Sequence, residues 1–318
     1  MIKFAIIGTS SISEKFITAL KETDGCEVYA LLSRDKNRGE IFANKFNIKK
    51  VYQDIDVMLS DMNIDTVYIA SPNGIHFQQA KLALESGKHV ICEKPIVTKV
   101  EEFDILVNIA MSKKLTFMEA MRPTVNPNFQ IIKDNLYKIG AIRQVFIKYC
   151  QYSSRYDVLK EGKITNIFDK SLGGGSLYDI GVYPLHFAVA MFGEPEEYFG
   201  YNYLLSSGTD GCGTVLFKYC DKVANISYSK ITDEKTPSEI LGEEGSIVIE
   251  KISQVKGIKI KYRDGREEDI ELPIYKNDMK YEVEEFIKLI AEKRVESELN
   301  SFSTSRKCVE IMERLANK

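Results

Sequence analysis

A lysine and a glutamate lie at the end of a run that has the pattern of a buried strand. The run is residues 87–92, and Glu93, Lys94 and Pro95 follow it. In an open α/β sheet, ligands bind beyond the carboxyl ends of the strands. An ammonium group there can hydrogen-bond a bound cofactor and a substrate hydroxyl together, and its charge favours the ionised form of a nearby phenol or alkoxide. Taken alone, a lysine at a strand end is usually a surface residue.

A second group of polar residues lies in the second half of the chain. Asp179, Tyr183 and His186 are spaced i, i+4 and i+7, which places them on one face if this segment is helical. The glycines at 173–175 would allow the backbone to approach a cofactor or a substrate closely. Pro184 is unfavourable inside a helix, so we expect a kink or a late helix start there.

The turn after the first predicted strand carries one of the three glycines of a dinucleotide-binding turn. In the motif G-x-G-x-x-G/A the backbone turns tightly and approaches a pyrophosphate at a helix N-terminus. Gly8 is present, whereas Ser10 and Ser13 replace the other two. Serine is small, and hydroxyl groups here can cap the helix or bond phosphate oxygens. A turn without any ligand explains this segment alone equally well. The residues predicted to contact the cofactor here are Gly8, Thr9, Ser10, Ser11 and Ile12.

The end of the second predicted strand indicates which dinucleotide is bound. An NAD-selective site usually places a carboxylate there, on the ribose diol. This chain has Ser33 and Arg34 instead, and a hydroxyl with a guanidinium suits a 2′-phosphate. We therefore favour NADP, although the adjacent Asp35 leaves NAD possible. Alternatively, Arg34 stacks on the adenine or points to solvent.

The first third of the chain alternates short apolar strands with helical patterns. Strands are predicted at residues 3–7, 27–32, 51–52, 65–70, 89–92 and 115–118, and helices at 11–23, 36–46, 74–86 and 100–113. Such alternation predicts a parallel sheet with helices on both faces, the doubly wound α/β arrangement of a Rossmann domain. We place this domain at residues 1–121.

The rest of the chain is mostly strand-like. Strands are predicted at residues 142–152, 197–205, 214–219, 223–231, 246–249 and 257–262, followed by helices at 279–292 and 303–316. Successive strands without intervening helices indicate an antiparallel sheet. The sequence therefore predicts a C-terminal α+β domain over residues 122–302.

Composition limits the functional classes. The 318 residues are enough for two domains, and the net charge of −3 lacks the basic character of a nucleic-acid-binding protein. The longest apolar runs are too short to span a membrane. No leader precedes the first predicted strand, so we expect a cytoplasmic protein. The six cysteines and three histidines show no metal-binding spacing, and we predict no metal site and no disulfides.

Four of these segments together resemble the Gfo/Idh/MocA oxidoreductase family. They are the Gly8 turn, residues 70–76 (Ala-Ser-Pro-Asn-Gly-Ile-His), residues 87–95 and residues 173–183. The resemblance covers nearly the whole chain. Many members of the family have histidine at the position of Tyr183. The resemblance is closer to the branch that has tyrosine there, which includes glucose–fructose oxidoreductase and dihydrodiol dehydrogenase.

The resemblance implies further cofactor contacts and an architecture. Ser71, Pro72, Asn73 and His76 should line the nicotinamide half of the cofactor, and Glu93 and Lys94 should contact its ribose or carboxamide. Without the family, His76 is better explained as a first-turn helix residue that binds no ligand. The Rossmann domain should be joined to an open, largely antiparallel sheet that often lies in a dimer interface. The helix at residues 303–318 should pack back on the first domain.

These residues together predict an NAD(P)-dependent oxidoreductase. A phenol is a weak base at neutral pH, but the Lys94 ammonium would stabilise its ionised form. We expect Tyr183 to exchange a proton with a substrate hydroxyl or carbonyl while a hydride passes to or from the nicotinamide. Lys94 would polarise that oxygen, Asp179 would orient the substrate hydroxyls, and Arg122 and His186 would be further substrate contacts.

The predicted substrate is a sugar, a polyol or a cyclic diol. Two other interpretations stay open: a cofactor-binding regulator without enzymatic activity, and a glycoside hydrolase that uses a bound NAD transiently. We expect a homodimer or homotetramer formed through the C-terminal sheet, and neither nucleic-acid nor membrane partners.

Overall fold

A six-stranded parallel sheet forms the centre of the first of two structural units. The computed structural model describes residues 1–316, and its first unit comprises Met1–Met121 and Tyr275–Phe302. The strands are β1 (Ile2–Ile7), β2 (Cys26–Leu32), β3 (Lys50–Tyr52), β4 (Thr66–Ile69), β5 (His89–Glu93) and β6 (Phe117–Ala120). Their order is β3-β2-β1-β4-β5-β6, with every neighbouring pair parallel. The chain adds strands outward from β1 to β3 and then returns to place β4 on the other side of β1. Doubly wound sheets bind ligands at this switch point between β1 and β4.

Helices bury the strands of this sheet on both faces. They are α1 (Ser11–Lys21), α2 (Lys36–Phe46), α3 (Ile55–Leu59), α4 (His76–Glu85), α5 (Val100–Lys113) and, later in the chain, α10 (Met279–Ala291). Phe4 of β1 packs against Phe16 of α1 and Phe286 of α10, each with ring centroids 6.2 Å apart. Ala5 and Ile7, on the other face of β1, are buried as well. Strands buried on both sides produce the continuous apolar runs seen in the sequence.

The second unit contains a larger and mostly antiparallel sheet. Its strands are β7 (Ile142–Cys150), β8 (Glu197–Leu204), β9 (Asp210–Lys218), β10 (Val223–Ser229), β11 (Ser238–Gly242), β12 (Gly245–Lys251), β13 (Lys256–Tyr262) and β14 (Glu267–Asp269). The eight strands follow the order β14-β13-β12-β11-β7-β10-β9-β8. Only β7 and β10 pair in parallel among these neighbours. The predicted fold class, a Rossmann sheet followed by an open antiparallel sheet, is confirmed.

Five helices lie in or lead into the second unit within the described residues 122–274 and 302–316. They are α6 (Arg122–Val125), α7 (Pro127–Asn135), α8 (Ser154–Lys160), α9 (Val182–Phe192) and α11 (Phe302–Ala316). On β10, Ile226 and Tyr228 are buried, and their face of the sheet is called the inner face below. The opposite, outer face carries exposed side chains such as Tyr201 of β8 and Leu216 of β9.

The position of the last helix differs from the sequence-based prediction. Residues 303–318 were expected on the first domain, but the structure groups α11 with the second unit and residues 275–302 with the first. The Asn202 amide donates to the Leu315 carbonyl, and Leu315 lies against Gly200 of the same strand. Residues 317 and 318 lie outside the described residues. Amphipathic periodicity reveals that a helix has an apolar face, but not which sheet that face covers.

Candidate active site

The Gly8 turn connects β1 to the N-terminus of α1. Gly8 has φ +110°, and a Cβ there would lie 2.6 Å from the carbonyl oxygen of Ala70, just beyond β4. Only glycine tolerates this close approach. The Ser10 hydroxyl lies 3.3 Å from that of the buried Ser13 and does not cap α1. A helix N-terminus with small residues around it is suited to bind an anion.

The other two residues predicted at this turn differ in exposure. Ser11 is the first residue of α1 and is exposed, so its hydroxyl is accessible to a ligand. Ile12 is half-buried and packs against the apolar core of the first unit. Its side chain therefore supports the turn, and only its backbone is suited to contact a phosphate.

An arginine that the sequence analysis missed reaches this turn. The Arg38 guanidinium donates to the carbonyl oxygen of Thr9 at 3.2 Å. Asp35 caps α2 by accepting the Arg38 N–H at 3.1 Å, and the buried Ser33 donates its hydroxyl to the Asp35 carbonyl at 2.7 Å. The Asp35 carboxylate is thus engaged in capping a helix, and Arg34 is exposed. Aspartate is a common helix-capping residue, so an arginine in the first helical turn after Asp35 was the available sequence signal for Arg38.

His76 connects two loops at the edge of the first sheet. Its Nε2 lies 2.8 Å from the Ser71 carbonyl oxygen and its Nδ1 lies 2.9 Å from that of Pro95. The side chain is fully buried. Burial lowers the pKa of His76, the Lys94 charge acts in the same direction, and the two carbonyls oppose them. The predicted cofactor contact of the ring is not supported, because both ring nitrogens face protein carbonyl groups.

The neighbours of His76 in the same motif remain accessible. Ser71, Pro72 and Asn73 are half-buried, and Asn73 begins a short 3-10 turn before α4. The Ser71 hydroxyl donates to the Gln79 side-chain oxygen at 2.7 Å. Three of the four residues predicted to line the nicotinamide are therefore partly exposed.

Buried hydrogen bonds hold the segment around Lys94. The Tyr68 hydroxyl donates to the Glu93 carboxylate at 2.6 Å, and burial, followed by the charge of Glu93, raises the pKa of Tyr68 well above its ordinary value. Lys94 is half-buried, and its peptide bond to Pro95 is cis. The Ile96 N–H donates to the buried Glu119 carboxylate at 3.1 Å. Lys94 is thus attached to a firmly held backbone.

In the second unit, Tyr183 lies in the first turn of α9. Its side chain is 7% exposed, and its hydroxyl accepts a hydrogen bond from Arg122 Nη2 at 3.3 Å. The Tyr149 ring packs against it edge-on, with ring centroids 5.6 Å apart. Pro184 lies three residues after a π-helical turn, Leu177–Gly181, that runs directly into α9, so the change in helical hydrogen-bond spacing falls just before the residue that lacks an N–H.

Asp179 lies one turn earlier and forms an ion pair with Lys230. A π-helical turn, Leu177–Gly181, carries Asp179 and leads into α9. The Lys230 side chain is 9% exposed and follows directly after β10. Lys230 was not predicted from the sequence, although a lysine next to a buried strand end was the available signal. A carboxylate held by a buried ammonium is a rigid acceptor for substrate hydroxyls.

His186 is fully buried in α9, so the predicted contact with a substrate is not supported. Nine of the residues of α9 are buried, which means that almost every side of this helix faces protein. In addition, the π-helical turn changes the angular spacing between Asp179 and the residues after it. Helical spacing alone could not identify the accessible side.

The glycines before Asp179 contact the protein itself, contrary to the sequence-based interpretation. A Cβ on Gly174 would lie 2.7 Å from the Ile167 carbonyl oxygen. Gly175 has φ +123°, and its Cβ would lie 2.2 Å from Asp210 Oδ1. Asp210 is buried, and burial raises its carboxyl pKa to about 7 although backbone N–H groups oppose the shift. Asp210 is a third residue that the sequence analysis missed.

Residues 1–316 contain neither a candidate metal-binding cluster nor a candidate membrane-spanning helix. No group of three or more histidine, cysteine, aspartate and glutamate side chains in this part of the chain could hold a metal ion. None of the helices described there has both the length and the apolar character needed to cross a membrane.

Known protein families match both units. Residues 2–121 match the oxidoreductase family with an NAD-binding Rossmann fold, GFO/IDH/MocA, and residues 135–248 match the GFO/IDH/MocA C-terminal domain. The chain is 43% identical over 313 residues to scyllo-inositol 2-dehydrogenase (NADP(+)) IolU of Bacillus subtilis, covering 98% of this chain and 95% of that protein. It is 28% identical to trans-1,2-dihydrobenzene-1,2-diol dehydrogenase of Mus musculus, covering 79% and 75%.

Solved structures with low sequence identity share the fold. KijD10, a 3-ketoreductase from Actinomadura kijaniata in complex with NADP and TDP-benzene, has a TM-score of 0.89 at 22% identity and covers 99% of this chain and 97% of that one. Levoglucosan dehydrogenase, in complex with NADH and levoglucosan, has a TM-score of 0.86 at 20% identity and covers 99% and 96%.

Proposed function

Because the chain belongs to the GFO/IDH/MocA oxidoreductase family, we propose that it transfers a hydride between NADP and a ring hydroxyl of an inositol-like cyclic polyol. Two polar pairs in the second unit, Arg122 with Tyr183 and Asp179 with Lys230, are the observation that carries this proposal. They provide a phenol for proton exchange, a charged acceptor and charged donors for neighbouring hydroxyls. The similarity to an NADP-dependent scyllo-inositol dehydrogenase supports the substrate class.

The residues of the first unit fit a phosphorylated dinucleotide. The tight turn at Gly8 leads into the N-terminus of α1, which is suited to a pyrophosphate. We assign the 2′-phosphate to Ser33, Arg34 and Arg38, because the one nearby carboxylate, Asp35, already caps α2. Two guanidinium groups favour a phosphate over a ribose diol.

The nicotinamide half would be held further along the sheet edge. We assign it to Ser71, Pro72, Asn73, Glu93 and Lys94, which lie at or just beyond the ends of β4 and β5. When bound, the nicotinamide supplies the site that accepts or donates the hydride. Glu93 and Lys94 would act from backbone that buried hydrogen bonds hold in place.

Tyr183 would exchange the proton. During oxidation its hydroxyl, as phenolate, would take the proton of the substrate hydroxyl, and during reduction it would return that proton. Arg122 supports this role because its guanidinium donates to the phenol oxygen at 3.3 Å and would stabilise a negative charge there. Lys94 would polarise the substrate oxygen. Asp179, held by Lys230, would accept hydrogen bonds from other substrate hydroxyls and so orient the ring.

We also propose that the protein forms a homo-oligomer through the outer face of the second sheet. Phe199, Tyr201 and Tyr203 are 52%, 69% and 62% exposed on β8, which is an edge strand. Leu216 pairs with Phe199 across β8 and β9 and is 51% exposed. Aromatic side chains exposed side by side on an edge strand are typical of an interface.

An absorbance assay for reduced nicotinamide tests the proposed reaction. Purified protein is mixed with inositols, aldoses and cyclic diols, with NADP and NAD in separate reactions. We expect the highest kcat/KM with NADP and an inositol. A protein that binds NADPH but turns over none of these substrates would instead be a regulator. Tightly retained cofactor without net absorbance change would favour a glycoside hydrolase.

Substitutions test the assigned roles in the same assay. Tyr183→Phe and Lys94→Ala should each lower kcat by a factor of about 10²–10⁴, the usual contribution of acid–base catalysis, while NADPH binding is retained. Tyr137→Phe, which removes a phenol that is 76% exposed and lies outside the proposed sites, is the matched control and should leave kcat unchanged. Near-normal turnover in both active-site variants would contradict the mechanism.

A further inference from the structure

Asp210 is a buried carboxylate at the start of β9 that lies next to the π-helical turn carrying Asp179. Its side chain is 7% exposed. Oδ2 accepts the N–H of Leu177 at 2.7 Å, and the carboxylate also accepts the N–H of Ser176. Leu177 begins the π-helical turn that carries Asp179.

These hydrogen bonds replace a local helix cap. The first N–H groups of a helical segment have no partner inside it and need an external acceptor. Ser176 occupies the cap position, but its side chain makes no cap hydrogen bond. Asp210 supplies the acceptor from a strand that is 33 residues away from Leu177 in sequence. A negative charge at this end also interacts favourably with the helix dipole.

The glycine at 175 is explained by the same carboxylate. A Cβ at Gly175 would lie 2.2 Å from Asp210 Oδ1, which is far inside contact distance. The backbone at this position also has φ +123°, a conformation that side chains other than glycine rarely adopt. Gly175 thus allows Asp210 to approach the start of the turn.

The residue after Asp210 holds the partner of Asp179. The Gly211 carbonyl accepts the N–H of Lys230 at 2.9 Å, and the Lys230 ammonium pairs with Asp179. Asp210 therefore anchors the beginning of the turn, and the next residue of β9, Gly211, anchors the backbone of Lys230, whose ammonium pairs with Asp179.

Two further titratable groups lie near Asp210. Tyr228 of β10 and Cys212 of β9 face it, and its charge contributes to raising the pKa of both. Burial raises the pKa of the Asp210 carboxyl itself to about 7, against the effect of the backbone N–H groups. Above that pH both carboxylate oxygens of Asp210 can accept hydrogen bonds, whereas below it one oxygen carries a proton.

We propose that Asp210 is a positioning residue for the proposed hydride transfer: its carboxylate holds the turn 176–181 so that Asp179 and Tyr183 are presented to the substrate. This inference rests on the proposed function. Asp210 acts through the backbone of the turn, so it should influence kcat without contributing to cofactor binding.

Asp210→Asn tests this role with an isosteric side chain. We expect kcat to fall by about 10-fold to 100-fold, the effect of misplacing reacting groups by a fraction of an ångström to 1 Å, with an unchanged dissociation constant for NADPH. The ratio of wild-type to variant kcat should shrink below pH 7, where wild-type Asp210 is itself protonated. Asp221→Asn is the matched control, because Asp221 lies beyond the other end of β9 and its exposed carboxylate pairs with Lys222.

Gly175→Ala provides a second and independent variant. Its Cβ must displace Asp210, so it should produce the same loss of kcat with NADPH binding retained. Gly265→Ala controls for backbone strain alone, since Gly265 has φ +88° and no atom within 4 Å of the added Cβ.

The outcomes separate the two proposals. Wild-type protein without turnover on any substrate would overturn both the proposed function and the role of Asp210. Active wild-type protein together with unchanged kcat in Asp210→Asn would overturn the role of Asp210 alone. Equal losses in Asp210→Asn and Asp221→Asn, or a matching loss of NADPH binding, would also overturn it.

Discussion

At the scale of single residues, Arg122 determines the electrostatic surroundings of Tyr183. The guanidinium donates to the phenol oxygen and lies 5.9 Å from the centre of the ring. Arginine stays charged at every physiological pH. Because opposite charges attract, this contact is stronger for a phenolate, which carries a negative charge, than for a neutral phenol. Arg122 should therefore favour the proton acceptor in the oxidation direction.

Arg122→Gln should lower kcat for hydroxyl oxidation at neutral pH by about tenfold. Glutamine can still donate a hydrogen bond but lacks the charge, and the difference between a charged and a neutral hydrogen bond is about 1–1.5 kcal/mol. Steady-state kinetics measure the effect. Arg143→Gln, which removes an exposed arginine paired with Glu243, should behave as wild type. An Arg122→Gln enzyme with unchanged kcat would exclude this electrostatic role.

Arg38 should decide between NADP and NAD. In Arg38→Ala we expect the dissociation constant of NADP to rise by about 10-fold to 100-fold, the value of a charge-assisted phosphate contact, while that of NAD changes little. Fluorescence titration with both cofactors measures this. Lys36→Ala removes an exposed cation from the same helical turn and serves as the control. Equal weakening for both cofactors would show that Arg38 does not contact the 2′-phosphate.

At the scale of secondary structure elements, Gly8 allows β1 and the end of β4 to lie side by side. Gly8→Ala should destabilise the protein by more than about 2 kcal/mol, because a side chain at positive φ costs about 1–2 kcal/mol before any steric overlap is counted. The added Cβ would also lie 2.6 Å from the Ala70 carbonyl oxygen. Gly25→Ala has φ +87° but no atom within 4 Å, so it should cost less. Urea unfolding compares the two, and equal losses would contradict the steric argument.

The turn that Asp210 caps should make stability depend on pH in a specific direction. The folded-state pKa of about 7 lies above the value of about 3.9 for an unfolded aspartate, so the folded protein binds this proton more tightly. Stability from this group is therefore highest at low pH and is lost as the pH rises from about 4 to 7. Asparagine cannot ionise and avoids this loss.

We therefore expect Asp210→Asn to gain stability relative to wild type between about pH 5.5 and pH 8. The difference in unfolding free energy should grow by about 2 kcal/mol over this interval, at 1.36 kcal/mol for each pH unit up to the pKa. Urea unfolding at the two pH values measures it. The exposed Asp221 carboxylate has a pKa lowered by Lys222, so Asp221→Asn should not show this gain. A difference independent of pH would argue against a buried, protonatable Asp210.

At the scale of the whole molecule, the outer face of the second sheet should control assembly. Leu216→Lys places a charge among the exposed aromatic side chains of β8 and should convert an oligomer to monomers, because an unpaired charge is costly in an apolar interface. Light scattering after size-exclusion chromatography measures the mass. Val57→Lys alters an equally exposed apolar residue of the first unit and should leave assembly unchanged. A monomeric wild-type protein would refute the proposed interface.

The sequence by itself determined the family, the order of most elements and the class of the fold. Strand and helix patterns depend on side chains two to four residues apart, so local periodicity shows them directly. Gly8 and Lys94 were recognised in the same way, since each belongs to a continuous motif at the end of a strand. The shorter elements, among them α7, α8 and β11, were missed because a few residues contain too little periodicity.

Only the tertiary structure showed which residues surround the predicted ones. Arg38, Lys230 and Asp210 reach the turns of Thr9, Asp179 and Leu177 across strands and loops, and no local pattern records such pairs. His76 and His186 are polar residues that were expected to contact ligands, yet both are fully buried. Whether a side chain faces a ligand or the core depends on the elements packed against it, and that packing is set by contacts between distant parts of the chain. For the same physical reason, the apolar face of α11 was visible in the sequence, but the sheet that it covers was not.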